Sequence, residues 1–244
     1  MLRVFVITND YYLWCLSPFS YLFNKYWSDK QEVVIMGFRP PKFELPNNFH
    51  FHSIARANYP QKKWSNALIE FLKAMSDEHC VLMLEDYWIS RPVDTRCITS
   101  LHQFMIARPD VLRFDLSIDV LHTNGDSRDA TDIGFIGPYD IVEKPHGKPY
   151  RMSFQAGLWN TKLLLSLLKE DKDPWEVEIQ TSPPSDMKVL GTRQWPLRYI
   201  NAIYKGELDT AEINKLHKID LDKVKVAYPK EIPIRNYNKE NKSA

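Results

Sequence analysis

The run Cys80-Val81-Leu82-Met83-Leu84-Glu85-Asp86-Tyr87-Trp88 decides the fold. It opens with consecutive apolar residues and no polar alternation, which suits a central parallel strand covered on both faces. It then stops abruptly at two acids. Just upstream, Trp64, Ala67, Leu68, Phe71, Leu72 and Met75 recur at i, i+3, i+4, i+7, i+8 and i+11. That is a single apolar helix face. A helix feeding a buried strand is the repeating step of an α/β fold.

The same alternation extends in both directions. Residues 3–7 are short, apolar and β-branched, and Thr8-Asn9-Asp10 closes them as a polar loop. Residues 11–27 are aromatic-rich and predict a helix interrupted near Pro18. Residues 32–38 and 49–54 predict two further strands. Downstream, residues 94–107 predict a helix with Asp94 as N-cap, and 111–117 another strand. Residues 122–150 are rich in Gly, Asp, Pro and His without a period, so they predict a long loop or a small hairpin insertion, a type of segment that often carries function. Residues 150–158 predict a strand running into a helix over 159–168. Pro174 sits well at the first turn of a helix over 174–180. Residues 195–205 and 209–217 are helical candidates, and 236–244 is a polar tail.

The expected architecture is therefore a mostly parallel sheet flanked by helices. In such sheets ligands sit beyond the carboxyl ends of the strands. This places Thr8-Asn9-Asp10 and Glu85-Asp86 on one rim.

Composition narrows the class. A chain of 244 residues with 44% apolar content can bury a full core as one domain, or one domain with an appendage. Lysine and arginine number 32 against 31 acids, for a net charge of +1. That balance argues against an obligate nucleic-acid coat. The aromatic share of 13%, with seven tryptophans, fits a rich core or rings lining a sugar or base site. Cys15, Cys80 and Cys97 show neither zinc nor disulfide spacing, which predicts a reducing compartment. No secretion-signal pattern and no run of about 20 apolar residues appears, so a cytoplasmic protein without a transmembrane segment is expected.

Glu85-Asp86 carries the chemistry. Acids at the end of a buried strand are costly unless they meet solvent, a cation or hydrogen-bond donors. A hard cation such as Mg²⁺ or Mn²⁺ takes carboxylate oxygen plus substrate phosphate and needs few protein ligands. A solvated loop with an acidic helix cap explains the same residues.

Leu84-Glu85-Asp86-Tyr87 resembles the degenerate Asp-x-Asp element of GT-A glycosyltransferases, with Tyr87 where a second aspartate often stands. The stretches 150–159 (Tyr-Arg-Met-Ser-Phe-Gln-Ala-Gly-Leu-Trp), 174–178 (Pro-Trp-Glu-Val-Glu) and 197–206 (Leu-Arg-Tyr-Ile-Asn-Ala-Ile-Tyr-Lys-Gly) are similar to signatures of small bacterial and phage GT-A-like transferases. The resemblance covers roughly residues 2–210. It implies a nucleotide-sugar transferase domain over 1–206 with a Rossmann-like sheet, and a helical C-terminal appendage and tail over 207–244. It also implies a nucleotide-sugar donor and a divalent metal held by Asp86, with Glu85 near the ribose and Thr8, Asn9 and Asp10 meeting the nucleotide. For Asp10 a helix-capping role fits equally.

Ser153 and Gln155, read on a strand, point to one face, and Gln155 offers donor and acceptor to sugar hydroxyls. A turn-stabilising amide is the other reading. Trp159 lies in an apolar stretch, as core or as a sugar platform. In a helix opened by Pro174, Glu176 and Glu178 lie about 200° apart. Trp175 and Glu178 share a face, a ring beside a carboxylate that suits an acceptor site. Glu178 is the preferred base and Glu176 the second; both acids also suit a helix N-terminus. His50 and His52 read as structural. His122 and His146, and Arg193 and Arg198 near Trp195, are available to phosphate, while salt bridges explain the arginines as well.

The expected reaction moves a sugar to a hydroxyl acceptor, by inversion. The acceptor is expected to be a surface glycan or lipopolysaccharide, or a hydroxymethylated base in phage DNA; no protein partner is expected. A nucleotidyltransferase is a rival, weakened because no glycine lies between Met1 and Met36 to cradle phosphates. A non-catalytic carbohydrate- or nucleotide-binding module is the other.

Overall fold

The computed structural model describes residues 2–55, 59–118, 130–147 and 150–236. Its strands in chain order are β1 (Arg3–Ile7), β2 (Val33–Gly37), β3 (Phe49–Ser53), β4 (His79–Leu84), β5 (Tyr87–Ile89), β6 (Val111–Asp115), β7 (Thr131–Ile136), β8 (Tyr139–Glu143), β9 (Gly157–Asn160), β10 (Lys188–Thr192), β11 (Tyr199–Asn201), β12 (Ile203–Tyr204) and β13 (Glu207–Leu208). The helices are α1 (Leu16–Tyr26), α2 (Trp64–Met75), α3 (Thr95–Ala107), α4 (Thr161–Leu167), α5 (Pro174–Gln180), α6 (Thr210–Ile213) and α7 (Lys218–Val224).

Among the described residues one nine-stranded sheet has the order β3-β2-β1-β4-β9-β6-β10-β8-β7. Every strand but β8 and β9 runs in the same direction. The protein is thus a mixed α/β fold on a mostly parallel sheet flanked by helices, as the sequence predicts. The continuous apolar strands are continuous because both faces are covered. Val81 and Met83 of β4 join Val4 and Val6 of β1 in a core with α1 and α3. Cys80 and Leu82 join Phe5 and Ile7 in a second core with α2 and α4.

Several elements differ from the sequence reading. Pro18 does not interrupt α1, because it falls in the first turn, where its missing N–H has no intrahelical partner to lose. Of the two readings of 122–150, the hairpin holds over 131–143, and it extends the sheet edge beyond β10. The strand read over 150–158 is displaced to β9, which inserts antiparallel between β4 and β6. Asn160 caps α4 by accepting from Leu163 N at 3.1 Å, so Trp159 belongs to the strand and the helix starts at Thr161.

Residues 195–205 are not helical. Trp195 stands before Pro196 with φ +47°, and the chain then pairs β11 against β5. Of 209–217, only α6 is helical. Leu208, Ile213, Leu216 and Val224 pack into the same core as α1. There the buried Asp220 accepts from Tyr21 Oη at 2.8 Å and pairs with Lys25 Nζ at 2.5 Å. His122 and residues 237–244 lie outside the described residues.

Candidate active site

β1 and β4 are parallel neighbours, and Ile7 stands opposite Leu84. Thr8 and Glu85 therefore leave the sheet side by side at its carboxyl rim. The two polar segments read from sequence do share that rim.

The loop after β1 is built by local hydrogen bonds. Asn9 Oδ1 accepts from Tyr11 N at 2.9 Å, and Asn9 O accepts from Tyr12 N at 3.1 Å. Asp10 faces Arg39 Nε at 3.4 Å rather than capping a helix. Thr8 itself is buried.

Glu85 is only 6% exposed. Burial pushes its carboxyl well above the usual range, the Asp86 charge pushes it further, and its own N–H, the Thr8 hydroxyl and the Asn9 main chain pull it back. Asp86 is half-buried. Burial raises its pKa from 3.8 to about 7, against the pull of its own N–H. Their field reaches their neighbours. Tyr12 is pushed up to about 12 by burial and then by Glu85. The Cys15 thiol is raised by burial, then by Glu85 and Asp86. Among the described residues neither acid forms an ion pair with a lysine, arginine or histidine.

Two side chains that sequence reading missed complete the rim. The side-chain amide of Asn201 ends 2.8 Å from Asp86 Oδ2 and 2.9 Å from Ile203 O. Both are acceptors, so the amide must turn its NH₂ to them. Tyr199 stacks on Tyr87, with ring centroids 4.6 Å apart, and donates its hydroxyl to Gln155 Oε1. Both residues lie in the stretch 195–205, for which the sequence predicts a helix. On a strand, the period of two puts Tyr199 and Asn201 on one face.

Gln155 is thereby tied to the Asp86 rim, although not from a strand. Residues 150–156 are irregular and held from outside: Arg113 Nη2 donates to Gln155 O at 3.0 Å, and Arg151 Nη2 to Met187 O at 3.1 Å. Ser153 does not share a ligand-facing side with Gln155. It is buried, and its Oγ accepts from Gln155 N at 3.3 Å, stiffening the turn. Trp159 is corrected to core. It is 0% exposed, stacked on Phe154 at 5.6 Å and covered by Arg113 at 5.2 Å, so no sugar meets its ring.

α5 separates the two candidate bases. Asp173 and Glu176 form a capping box: Glu176 N donates to Asp173 Oδ1 at 2.8 Å, and Asp173 N to Glu176 Oε2 at 3.1 Å. Lys172 Nζ adds a contact at 3.3 Å. The main chain at Asp173, followed by Lys172, lowers the Glu176 pKa. An acid so held is a poor base, and its role is to start the helix. Glu178 turns toward the Gln155 segment, where its Oε1 accepts from Phe154 N at 2.6 Å. Trp175, one turn back, is 60% exposed.

The remaining candidates have structural partners. Arg193 pairs with Asp132 at 2.8 Å, Arg198 lies over Trp195 at 5.4 Å, and His146 Nδ1 meets Arg151 Nη1 at 2.9 Å. His52 packs edge-on against Phe71. Beneath the rim, Arg113 and Asp115 form a fully buried ion pair at 3.2 Å. Ser117 Oγ donates to the same carboxylate at 3.0 Å.

The donor set suits a hard divalent cation in part. Two adjacent carboxylates, raised by burial and unpaired with any cationic side chain among the described residues, favour a positive ion. No group of three or more His, Cys, Asp or Glu that could hold a metal occurs among the described residues. An ion here would draw the rest of its shell from phosphate and water. No described helix is long and apolar enough to cross a membrane.

No protein-family model matches the chain, and no curated protein matches it. Solved structures do. Galactosyltransferase LgtC in complex with donor and acceptor sugar analogs is 12% identical, with 68% of this chain and 60% of that chain covered, at a TM-score of 0.40. Apo UDP-glucose pyrophosphorylase is 9% identical over 93% of this chain and 98% of that one, at 0.47. Mouse xyloside xylosyltransferase 1 is 10% identical over 73% and 80%, at 0.33. The chain thus spans about 60% of the length of LgtC. Other matches include a 2-C-methyl-D-erythritol 4-phosphate cytidylyltransferase from Thermus thermophilus, 11% identical over 93% of this chain and 99% of that one, at 0.34. At such low TM-scores and identities the chemistry of this chain rests on its own residues.

Proposed function

We propose that this protein is a nucleotide-sugar-dependent glycosyltransferase of the GT-A type, with its transferase domain over residues 1–206 and a C-terminal appendage from residue 207. The observation that carries the reading is the Glu85–Asp86 pair at the carboxyl rim beside Thr8-Asn9-Asp10, acidic, raised by burial and without a protein cation paired to it among the described residues. Asp86 would hold Mn²⁺ or Mg²⁺, which supplies charge neutralisation on a departing nucleoside diphosphate. The loop after β1 would meet the nucleotide, and Gln155 a sugar hydroxyl.

Glu178 takes the proton of the acceptor hydroxyl. That oxygen forms the new bond to the anomeric carbon, and the bonding pair of the old C–O bond leaves on the diphosphate. Phe154 N fixes the direction of the carboxylate. A single displacement of this kind inverts the anomeric centre. The acceptor is a hydroxyl of a surface glycan or of a hydroxymethylated base, and the reaction is placed in the cytoplasm. The loop after β1 has no glycine, which disfavours the rival reaction, attack of a nucleophile on a phosphate of a cradled nucleoside triphosphate.

The test is nucleotide release from a panel of UDP-, GDP-, CDP-, ADP- and dTDP-sugars, with and without Mn²⁺, for the native chain and Asp86→Ala. One donor class should be hydrolysed slowly, faster with Mn²⁺, and not by the variant. Neither release nor binding of any donor at millimolar concentration overturns the proposal. Tight binding without turnover makes the protein a binding module.

A further inference from the structure

We propose that Asn201 is a positioning residue that sets the direction of the Asp86 carboxylate for its cation; this rests on the reading of Asp86 given above. After the turn at Glu85–Asp86 the chain leaves the large sheet as β5. Its three residues pair antiparallel with β11, Tyr199 opposite Ile89, Ile200 opposite Trp88 and Asn201 opposite Tyr87. That register brings residues 201 and 202 to Asp86 twice over. Ala202 N donates to Asp86 O at 2.9 Å. Asn201 Nδ2 gives one hydrogen to Asp86 Oδ2 at 2.8 Å and the other to Ile203 O at 2.9 Å. The carbonyl of Ile203 is an acceptor at every pH, so it pins the NH₂ and with it the carboxylate.

The donor type matters as much as its place. An arginine or lysine at this position would neutralise Asp86 and compete with a divalent ion. A neutral amide orients the carboxylate and leaves its charge for the ligand. The register is guarded at the other end of β11. Tyr199, two residues earlier and on the same face, stacks on Tyr87 and reaches Gln155. A slip of one residue would turn both side chains away.

Mn²⁺ binding to the full chain, read by the loss of the free-ion electron paramagnetic resonance signal in the presence of nucleoside diphosphates, tests this. Asn201→Leu keeps the volume and removes the donor. Its Mn²⁺ affinity should fall about tenfold, in the range typical for partners of metal ligands. Ser90→Ala is the control, since it trims a contact of the same ribbon, Ser90 Oγ to Arg198 O at 3.3 Å, without touching Asp86. It should bind Mn²⁺ as the native chain does.

Unchanged affinity in Asn201→Leu, or an equal loss in Ser90→Ala, overturns the inference while leaving Asp86 as ligand. Should Asn201→Leu not fold, Asn201→Ser, too short to reach Asp86, must show the same loss, and native affinity in it is equally fatal. A native chain that binds no Mn²⁺, or binds it as well after Asp86→Ala, sinks the metal reading itself and is recognised by that pattern.

Discussion

Asp86→Asn should stabilise the metal-free protein at alkaline pH while removing its activity. The structure sets the magnitude. Burial raises the Asp86 pKa from 3.8 to about 7. The folded state therefore binds the proton more tightly than the unfolded one. The resulting stability is fully present below pH 3.8 and is lost as pH rises through 7. About three units at 1.36 kcal/mol each is on the order of 4 kcal/mol. Asp86 is only half-buried and its charged form accepts from the Asn201 amide, so solvent relaxation and that hydrogen bond reduce this to roughly 2 kcal/mol.

A neutral amide at position 86 never incurs that loss, and its side-chain oxygen still accepts from Asn201. In chelator at pH 8 the variant should melt roughly 4–8 °C above the native chain, since about 1 kcal/mol shifts Tm by roughly 2–4 °C at this size. Below about pH 3.8 the two should melt together. Circular dichroism melts at both pH values measure it, and the difference between the two chains isolates position 86 from other titrating groups. Mn²⁺ with the accepted nucleoside diphosphate should then raise the Tm of the native chain alone. A variant less stable than the native chain at pH 8 by about 1 kcal/mol would refute the reasoning, because it would mean that the fold already stabilises the charge.

Glu178→Gln should keep Phe154 N bonded through its amide oxygen, so stability should change by about 1 kcal/mol or less. Its kcat should fall roughly 10²–10⁴-fold with KM little changed, measured by steady-state transfer once a donor is known. Arg113→Met should cost about 3–5 kcal/mol in urea unfolding, because it leaves the buried Asp115 without its ion-pair partner. A cost under about 1 kcal/mol would show that Asp115 is compensated by its other contacts.

What the sequence determined lies in periodicity and caps. The helix face at Trp64 to Met75, the buried run at β4 and the cap at Asp94, which accepts from Cys97 N at 2.9 Å, are local patterns read without knowing the rest of the chain. The shared rim of Thr8-Asn9-Asp10 and Glu85-Asp86 followed from the α/β rule alone. Tertiary structure decided what depends on distant partners. Whether residues 199–201 are helix or strand is settled by β5, more than a hundred residues earlier, and only the strand brings Asn201 to Asp86. Gln155 could not be placed from its own segment, because that segment has no regular period and is held by Arg113, Glu178 and Tyr199. The fate of Glu176 and Trp159 likewise turned on packing: a carboxylate serves its own helix, or an indole sinks into the core, according to what lies opposite it. Periodicity reports which side of an element is apolar; it carries no information about which element that side will meet.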